Sequence, residues 1–154
     1  MISFEGIPAV YFNSLFGKSN DEAKYIITGN NRDINRYKWN YKNISKKLNN
    51  KNSKQSIFYN KITNLLMVRR KQKAFHPNAS RQHINLGSNF FSFKRVSVDK
   101  GQTIICITNL SSKLQKTYLN KNYYGWNNLI GPRIEIKNKL LILKPFETIW
   151  LSNR

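Results

Sequence analysis

The hydrophobic pattern changes its period close to residue 80. From Ser53 to Phe75 apolar residues recur about every 3.6 residues, which predicts a helix that ends before His76-Pro77. From Gln82 onward the period is two, and clusters of turn residues separate the apolar runs. The predicted strands are residues 90–98, 102–109, 114–119, 140–143 and 148–151. The change of period predicts an α+β chain that ends in a small antiparallel β-sheet or sandwich domain.

A short apolar run lies near the beginning of the chain. Residues Ile7 to Phe12 follow Gly6 and are nearly all apolar, which is typical of a parallel strand covered on both faces. The chain then becomes polar and irregular from Gly17 to Arg36. A strand that opens at its C-terminal end into a long charged loop is how β/α barrels present active-site residues. This stretch therefore predicts a barrel strand followed by an active-site loop.

Local signals predict two short helices and one tight hairpin. Residues 19–25 have Ser19 or Asn20 as the expected N-cap, and residues 41–49 carry apolar residues four apart. The Asp99–Gly101 turn predicts that the strands on either side of it form a β-hairpin.

The charge of the chain raises the question of an anionic partner. There are 27 lysine and arginine residues against 7 aspartate and glutamate residues, which gives a net charge of +20. A charge of this size is typical of proteins that bind nucleic acid or anionic membranes. The basic residues are spread along the chain, however, and no zinc-finger or RNP-type segment accompanies them. A nucleic-acid partner is therefore allowed but not favoured over a compositional bias.

Other features narrow the class of protein. Cys106 lies inside an apolar run and is expected to be a small buried hydrophobic residue. The two histidines, His76 and His83, do not form a metal-binding pattern, and none is predicted. No apolar run approaches 18 residues, and the first residues do not resemble a secretory signal. The expectation is a cytoplasmic protein without a membrane partner.

Three motifs together resemble a known enzyme family. They are Gly6-Ile7-Pro8-Ala9-Val10-Tyr11-Phe12, Asn31-Arg32-Asp33-Ile34-Asn35-Arg36 and Ala74-Phe75-His76-Pro77-Asn78. They resemble glycoside hydrolase family 13, the α-amylase superfamily, in the branch of sucrose and glucosylglycerate phosphorylases. The resemblance covers nearly the whole chain and is strongest up to Ala79. It implies that residues 1–79 are the last strand, active-site loop and last helix of a (β/α)₈ barrel, and that residues 80–154 are the C-terminal β domain.

The same resemblance assigns a role to Arg32. It matches the family arginine that hydrogen-bonds the glucosyl unit, while Asp33 is expected to support the loop. A guanidinium suits sugar binding because it stays charged and offers five donors in a rigid fork. The alternative is that Arg32 forms an ion pair with Asp33 or Asp21 and only holds the loop together.

No catalytic residue is predicted within the chain. Retaining glycosyl transfer uses two carboxyl groups about 5–5.5 Å apart, and in the resembled family both come from earlier barrel strands. The resemblance implies a glucoside phosphorylase that needs no cofactor and takes inorganic phosphate as co-substrate. The expectation is a C-terminal fragment that is inactive alone, and whether it acts as an enzyme is left open. Two alternatives remain, a basic nucleic-acid-binding module and a non-functional gene remnant.

An aromatic group near residue 125 also has two interpretations. Tyr123, Tyr124 and Trp126 could stack on a sugar ring or could pack within the β domain, and packing is favoured.

Overall fold

Helices and strands divide the chain near residue 70. The computed structural model describes residues 1–134, 136 and 138–154. Its helices are α1 (Phe12–Leu15), α2 (Glu22–Thr28), α3 (Tyr41–Asn49) and α4 (Lys54–Arg70). Its strands are β1 (Ser80–His83), β2 (Phe90–Val96), β3 (Thr103–Asn109), β4 (Gln115–Tyr118), β5 (Asn127–Asn128), β6 (Leu140–Leu143) and β7 (Thr148–Ser152). Short 3₁₀ turns lie at Asn31–Ile34, Lys73–Phe75 and Lys121–Tyr123.

The chain forms two compact units. Residues 9–66 form one, called here the helical unit, and residues 1–8 together with 67–154 form the other, called the β unit. The predicted domains, 1–79 and 80–154, refer to the architecture of the resembled enzymes, and that division stays a prediction. The α+β class and the antiparallel pairing are confirmed.

The predicted helices form with small changes at their ends. α3 has the predicted bounds, with the Asn40 side chain accepting a hydrogen bond from the backbone of Asn43. α2 starts later than predicted, because Asp21 rather than Ser19 or Asn20 caps it. α4 ends at Arg70, where the backbone tightens into i→i−3 hydrogen bonds and a 3₁₀ turn takes the chain to residue 75.

The predicted barrel strand at Ile7–Phe12 is wrong for this structure. Residues 7–11 form no strand, Phe12 begins α1, and the Ile7 side chain is 84% exposed. Tyr11 has an extended backbone, with φ −64° and ψ 141°, which is closer to polyproline II than to a β-strand. A strand forms only when neighbouring strands accept and donate its backbone hydrogen bonds. In the part of the chain that the structure describes, no strand lies beside this segment.

An aromatic cluster forms the interior of the helical unit. Phe16 is buried, stacks on Tyr59 with ring centroids 5.7 Å apart and meets Trp39 edge to face at 5.9 Å. The next residue, Gly17, has φ +59°, and a Cβ atom there would lie 2.9 Å from the ring of Phe58. A residue other than glycine would therefore be strained and crowded at this position.

The β unit is built on a five-stranded antiparallel sheet. The strand order is β1-β2-β3-β7-β5, and β4 and β6 form a separate two-stranded sheet. The predicted hairpin is confirmed: β2 pairs with β3 from Phe90↔Asn109 to Val96↔Thr103. Asp99 fixes the turn, because its carboxylate accepts hydrogen bonds from the backbone of Gly101 and the hydroxyl of Ser97.

The core of the β unit lies between strand faces of both sheets. Its fully buried side chains alternate along the strands, as a period of two requires; they are Ile105, Ile107, Leu141, Leu143, Ile149 and Leu151. Each contributes about 1.5–3 kcal/mol when fully buried. Cys106 is also buried, and this burial raises the pKa of its thiol to about 12, so it is the inert hydrophobic residue that was predicted.

Two buried arginines hold the first residues of the chain against the rest of the β unit. Arg69 donates hydrogen bonds to the carbonyl oxygens of Ile2, Phe4 and Gly6. Arg95, which is fully buried, donates to the carbonyl oxygens of Ser3, His76 and Ala79. The guanidinium charges are thus solvated by backbone carbonyls.

No helix within the described residues is long and apolar enough to cross a lipid bilayer.

Candidate functional site: the Arg32 loop

The candidate site is the polar segment of residues 20–39, called here the Arg32 loop. Helix α2 forms its first half: the carboxylate of Asp21 accepts a hydrogen bond from the backbone of Lys24 at 3.1 Å. Gly29 ends the helix in the left-handed conformation, with φ 61°. The backbone N–H of Asp21 donates to the carbonyl of Ile34 at 2.7 Å, which ties the beginning of the loop to its far side.

The carboxylate of Asp33 has partners on helix α2. It forms an ion pair with Lys24, with N and O 3.2 Å apart. A hydrogen bond from Thr28 is the main cause that lowers the pKa of Asp33, and the hydrogen bond from Lys24 lowers it further. The carboxylate is therefore charged at neutral pH and joins helix α2 to the 3₁₀ turn.

Arg32 projects from that 3₁₀ turn into solvent. Its backbone N–H donates to the side-chain oxygen of Asn30 at 3.0 Å, and the residue is exposed. Among the described residues, its guanidinium has no hydrogen-bond or ion-pair partner. The local ion pair with Asp33 or Asp21, considered as the alternative role, is not formed, because Lys24 occupies Asp33 and Asp21 caps α2. The donors of Arg32 are thus free for a ligand.

Asn13 is a supporting residue that the sequence did not reveal. Its side chain is buried and donates to the carbonyl oxygens of Asn35 at 2.9 Å and Tyr37 at 3.1 Å. Its side-chain oxygen accepts a hydrogen bond from the indole N–H of Trp39 at 2.8 Å. One amide thereby fixes the end of the loop at three points. The only sequence signal is an asparagine within the aromatic run from Tyr11 to Phe16.

The remaining predicted candidates have structural roles. Tyr123, Tyr124 and Trp126 pack against the core of the β unit, so packing rather than an open stacking platform is what the structure shows. The Nδ1 atom of His76 accepts a hydrogen bond from the backbone of Asn78 at 3.2 Å and helps to form a turn. Within the described residues, no group of three metal-ligating side chains could hold an ion.

The Arg32 loop offers groups for binding, and two of its three carboxylates are already engaged within it. Asp21 is engaged as a helix cap and Asp33 in an ion pair, and the third, Glu22, lies in the first turn of α2. A general acid or nucleophile needs a carboxyl group that is free to meet the substrate. The loop can supply a fixed cation and hydrogen-bond donors, which suit the hydroxyl groups of a sugar.

Comparison with solved structures places the fold. The trehalulose synthase MutB from Pseudomonas mesoacidophila MX-45 has a TM-score of 0.53 to this chain and 17% sequence identity. The match covers 70% of this chain and 19% of the MutB chain. The enzyme AmyP, solved in complex with maltotriose, matches 67% of this chain and 22% of its own, with a TM-score of 0.54 and 18% identity. The fold is therefore one found in enzymes of glycoside hydrolase family 13.

Sequence comparison narrows the relationship. No protein-family model matches the chain. Glucosylglycerate phosphorylase from Escherichia coli (strain K12) is 29% identical over 152 residues, which are 99% of this chain and 26% of the relative. The enzyme of the same name from Spirochaeta thermophila is 32% identical over 111 residues, or 72% of this chain and 19% of the relative. The predicted resemblance is confirmed: relatives named glucosylglycerate phosphorylase match most of this chain, and its structural neighbours are enzymes of glycoside hydrolase family 13. It spans about a quarter of the length of the first of these curated relatives.

Proposed function

We propose that this chain is the C-terminal part of a retaining glucoside phosphorylase, in which Arg32 hydrogen-bonds the glucosyl unit of the substrate. The observation that carries the proposal is the free guanidinium of Arg32 on a loop that is fixed at both ends. It stands in a chain that matches glucosylglycerate phosphorylase over 99% of its length. In this proposal residues 1–79 complete the catalytic barrel, and residues 80–154 form the domain that follows it.

The reaction needs groups from the rest of the enzyme. A nucleophilic carboxylate forms a covalent glucosyl intermediate, and a second carboxyl group acts as acid and base. Inorganic phosphate then accepts the glucosyl unit in place of water, and glucose 1-phosphate is released. We favour glucosylglycerate as the donor because the curated relatives are named glucosylglycerate phosphorylase. Sucrose is the alternative donor.

Exposed apolar side chains support the idea that the helical unit is covered by further protein. Ile26 and Ile27 on α2 are 78% and 84% exposed, and Tyr41 at the start of α3 is 83% exposed. Each leaves unrealised about 1.5–3 kcal/mol that burial would supply. Ile26 and Ile27 are adjacent on α2, and an exposed apolar pair of this kind fits a surface that contacts another protein segment.

The test is complementation by the part of the enzyme that carries the carboxylates. The N-terminal region of the Escherichia coli relative, up to the point where this chain aligns, is fused to this chain or co-expressed with it. Glucose 1-phosphate release from glucosylglycerate and phosphate is then measured. We expect turnover from the complemented enzyme and none above the no-protein control from this chain alone. Turnover by the chain alone, or no turnover by a folded fusion, would refute the proposal.

The role of Arg32 has its own experiment in the complemented enzyme. Replacing it with alanine removes one or two charge-assisted hydrogen bonds, so kcat/KM should fall roughly ten- to a hundred-fold. The matched control is Arg70→Ala, which removes an exposed arginine from the end of α4. Equal kinetics of the Arg32→Ala and Arg70→Ala enzymes would show that Arg32 does not bind the glucosyl unit.

A second candidate function rests on the net charge of +20. A basic nucleic-acid-binding protein loses affinity steeply with salt, because binding releases condensed counterions. Fluorescence anisotropy of labelled duplex DNA between about 50 and 200 mM salt measures this slope. A shallow slope would exclude nucleic acid as the partner, while a steep one with tight binding would favour it over the phosphorylase proposal.

A further inference from the structure

A groove lies on one face of strands β1 and β2. Its volume is about 450 Å³, and it is lined by Asn78, Ser80, Gln82, Lys94, Val96 and Lys100, among others. The register of the two strands explains the lining, since Ser80 lies opposite Val96 and Gln82 lies opposite Lys94. Residues directly opposite each other point to the same face of a sheet. We call this feature the β1–β2 groove.

The polar side chains of the β1–β2 groove have no hydrogen-bond or ion-pair partners among the described residues. None of Asn78, Ser80, Gln82, Lys94 and Lys100 uses its side chain in a hydrogen bond or ion pair with another described residue. Together they present two ammonium groups, two amides and a hydroxyl, and so contain many more donors than acceptors. A concave surface with several convergent free polar groups is a default candidate for ligand binding.

The lysine charges of the β1–β2 groove are not neutralised by a carboxylate among the described residues, whereas the lysine of the adjoining depression is. An adjoining depression of about 360 Å³ is lined by Lys73 and Asp99, among others, which form an ion pair 2.7 Å apart. Asp99 also accepts from the hydroxyl of Ser97, so its carboxylate is engaged within the turn. Lys94 and Lys100 have no carboxylate partner among the described residues. They leave the β1–β2 groove with a net positive charge.

The groove is held in shape by the backbone. β1 pairs with β2 along all four of its residues, which fixes the spacing of Ser80 and Gln82 from Lys94. The turn that carries Lys100 is closed by hydrogen bonds from Lys100 N–H to Ser97 and from Ser97 N–H to Gln102. The backbone of the groove is therefore ordered before a ligand enters, and such preorganisation favours binding.

From these features we infer that the β1–β2 groove binds a sugar that carries an oxyanion, either a phosphate ester or a carboxylate. Lys94 and Lys100 bind the oxyanion, and Asn78, Ser80 and Gln82 bind hydroxyl groups. Val96 and Val98 supply an apolar surface for the C–H face of the ring. The volume exceeds what a lone phosphate ion fills, so the amides have a sugar to contact. The inference goes beyond the proposed function and does not depend on it.

The experiment is an NMR titration of the ¹⁵N-labelled chain with three probes: glucose 1-phosphate, inorganic phosphate and glucose. We expect glucose 1-phosphate to shift the amide signals of residues 78–82 and 94–100 in a saturating way. Each of the other probes lacks half of the contacts, so its dissociation constant should be roughly tenfold higher or more. Equal affinity for inorganic phosphate would overturn the role of the sugar. Equal affinity for glucose would overturn the role of the oxyanion, and either result would sink the inference.

Variants locate the site. Lys94→Gln and Lys100→Asn each remove one ammonium group, and asparagine tolerates the left-handed backbone of residue 100, whose φ is 56°. Each should weaken binding of glucose 1-phosphate roughly tenfold. The matched control is Lys116→Gln on β4, which removes the same charge outside the groove and should bind as the parent chain does. Equal losses in all three variants would show attraction by net charge alone, and the spectrum away from the groove reports whether each variant is folded.

Discussion

Replacing Asn13 with alanine should loosen the end of the Arg32 loop while leaving the β unit intact. The substitution removes three hydrogen bonds, to the carbonyls of Asn35 and Tyr37 and from the indole of Trp39. A buried group that loses its partner costs about 1–3 kcal/mol, and a typical net hydrogen bond contributes about 1 kcal/mol. Because residues 35 and 37 are exposed, water can replace part of what their carbonyls lose. We therefore expect a local destabilisation of about 2–3 kcal/mol.

Native-state hydrogen exchange measures this loss in each unit separately. A tenfold change in an equilibrium constant is 1.4 kcal/mol, so exchange in the helical unit should accelerate about 30- to 150-fold. The Trp39 indole N–H should also exchange faster, because its acceptor is gone. The control is Asn64→Ala, which removes the side chain of an exposed asparagine on α4.

A second substitution separates the two ends of the Asn13 amide. In Asn13→Asp an oxygen remains to accept from Trp39, but the carboxylate cannot donate to Asn35 and Tyr37 at neutral pH. The indole should then stay protected relative to the alanine variant while residues 35–39 are destabilised. Unchanged exchange of residues 35–39 in both variants would refute the idea that Asn13 fixes the loop.

Three further predictions concern the β unit. Arg95→Met leaves three carbonyl groups, one of them buried and two partly buried, without their donor, so the free energy of unfolding should fall by roughly 2–4 kcal/mol in urea denaturation. Asp99 has a lowered pKa, caused first by its hydrogen bond from Lys73, so its stabilising effect is present near neutral pH and is lost as the pH falls below about 4. The difference in unfolding midpoint between the parent and Asp99→Asn should accordingly shrink in acid. Because burial raises the pKa of Cys106, a thiol reagent at about pH 8 should react only after denaturation.

Each of these has a result that contradicts it. An Arg95→Met chain as stable as the parent would mean that the carbonyls find other donors. A midpoint difference that stays constant from pH 7 to about 2 would exclude the titration of Asp99 as its cause. Rapid labelling of the native chain would show that Cys106 reaches solvent.

The elements that sequence reasoning predicted well are those with a local signal. Helix α3 has the predicted bounds, and β2 pairs with β3 as predicted. Both predictions rest on the hydrophobic period, 3.6 for a helix and two for a strand, which fixes which side chains share a face. The turn at Asp99 could be predicted because the hydrogen bond that closes it joins residues only two positions apart. The N-cap of α2 is Asp21 rather than Ser19 or Asn20. The prediction missed it because several consecutive polar residues could act as the N-cap.

The candidate site was predicted less completely. The sequence indicated an arginine in a loop at residue 32 with Asp33 beside it, and the loop role expected of Asp33 stays a prediction. The sequence could not show that Lys24 would take the carboxylate and leave the Arg32 guanidinium free. Nor could it show that Asn13 would reach residues more than twenty positions away.

What the sequence determined by itself is most of the local structures: helices α2 to α4, strands β2, β3, β4, β6 and β7, and the turn between β2 and β3. It did not indicate α1, β1 or β5. The causes of the predicted elements lie within a few residues of one another, in hydrophobic period, capping and turn chemistry. Only the tertiary structure decided the fate of Ile7–Phe12 and of Arg95. An apolar run becomes a strand only where other strands complete its hydrogen bonds, and here none in the described chain does so. A charged residue in a strand can be buried only where distant carbonyl groups converge to solvate it, as those of residues 3, 76 and 79 do for Arg95.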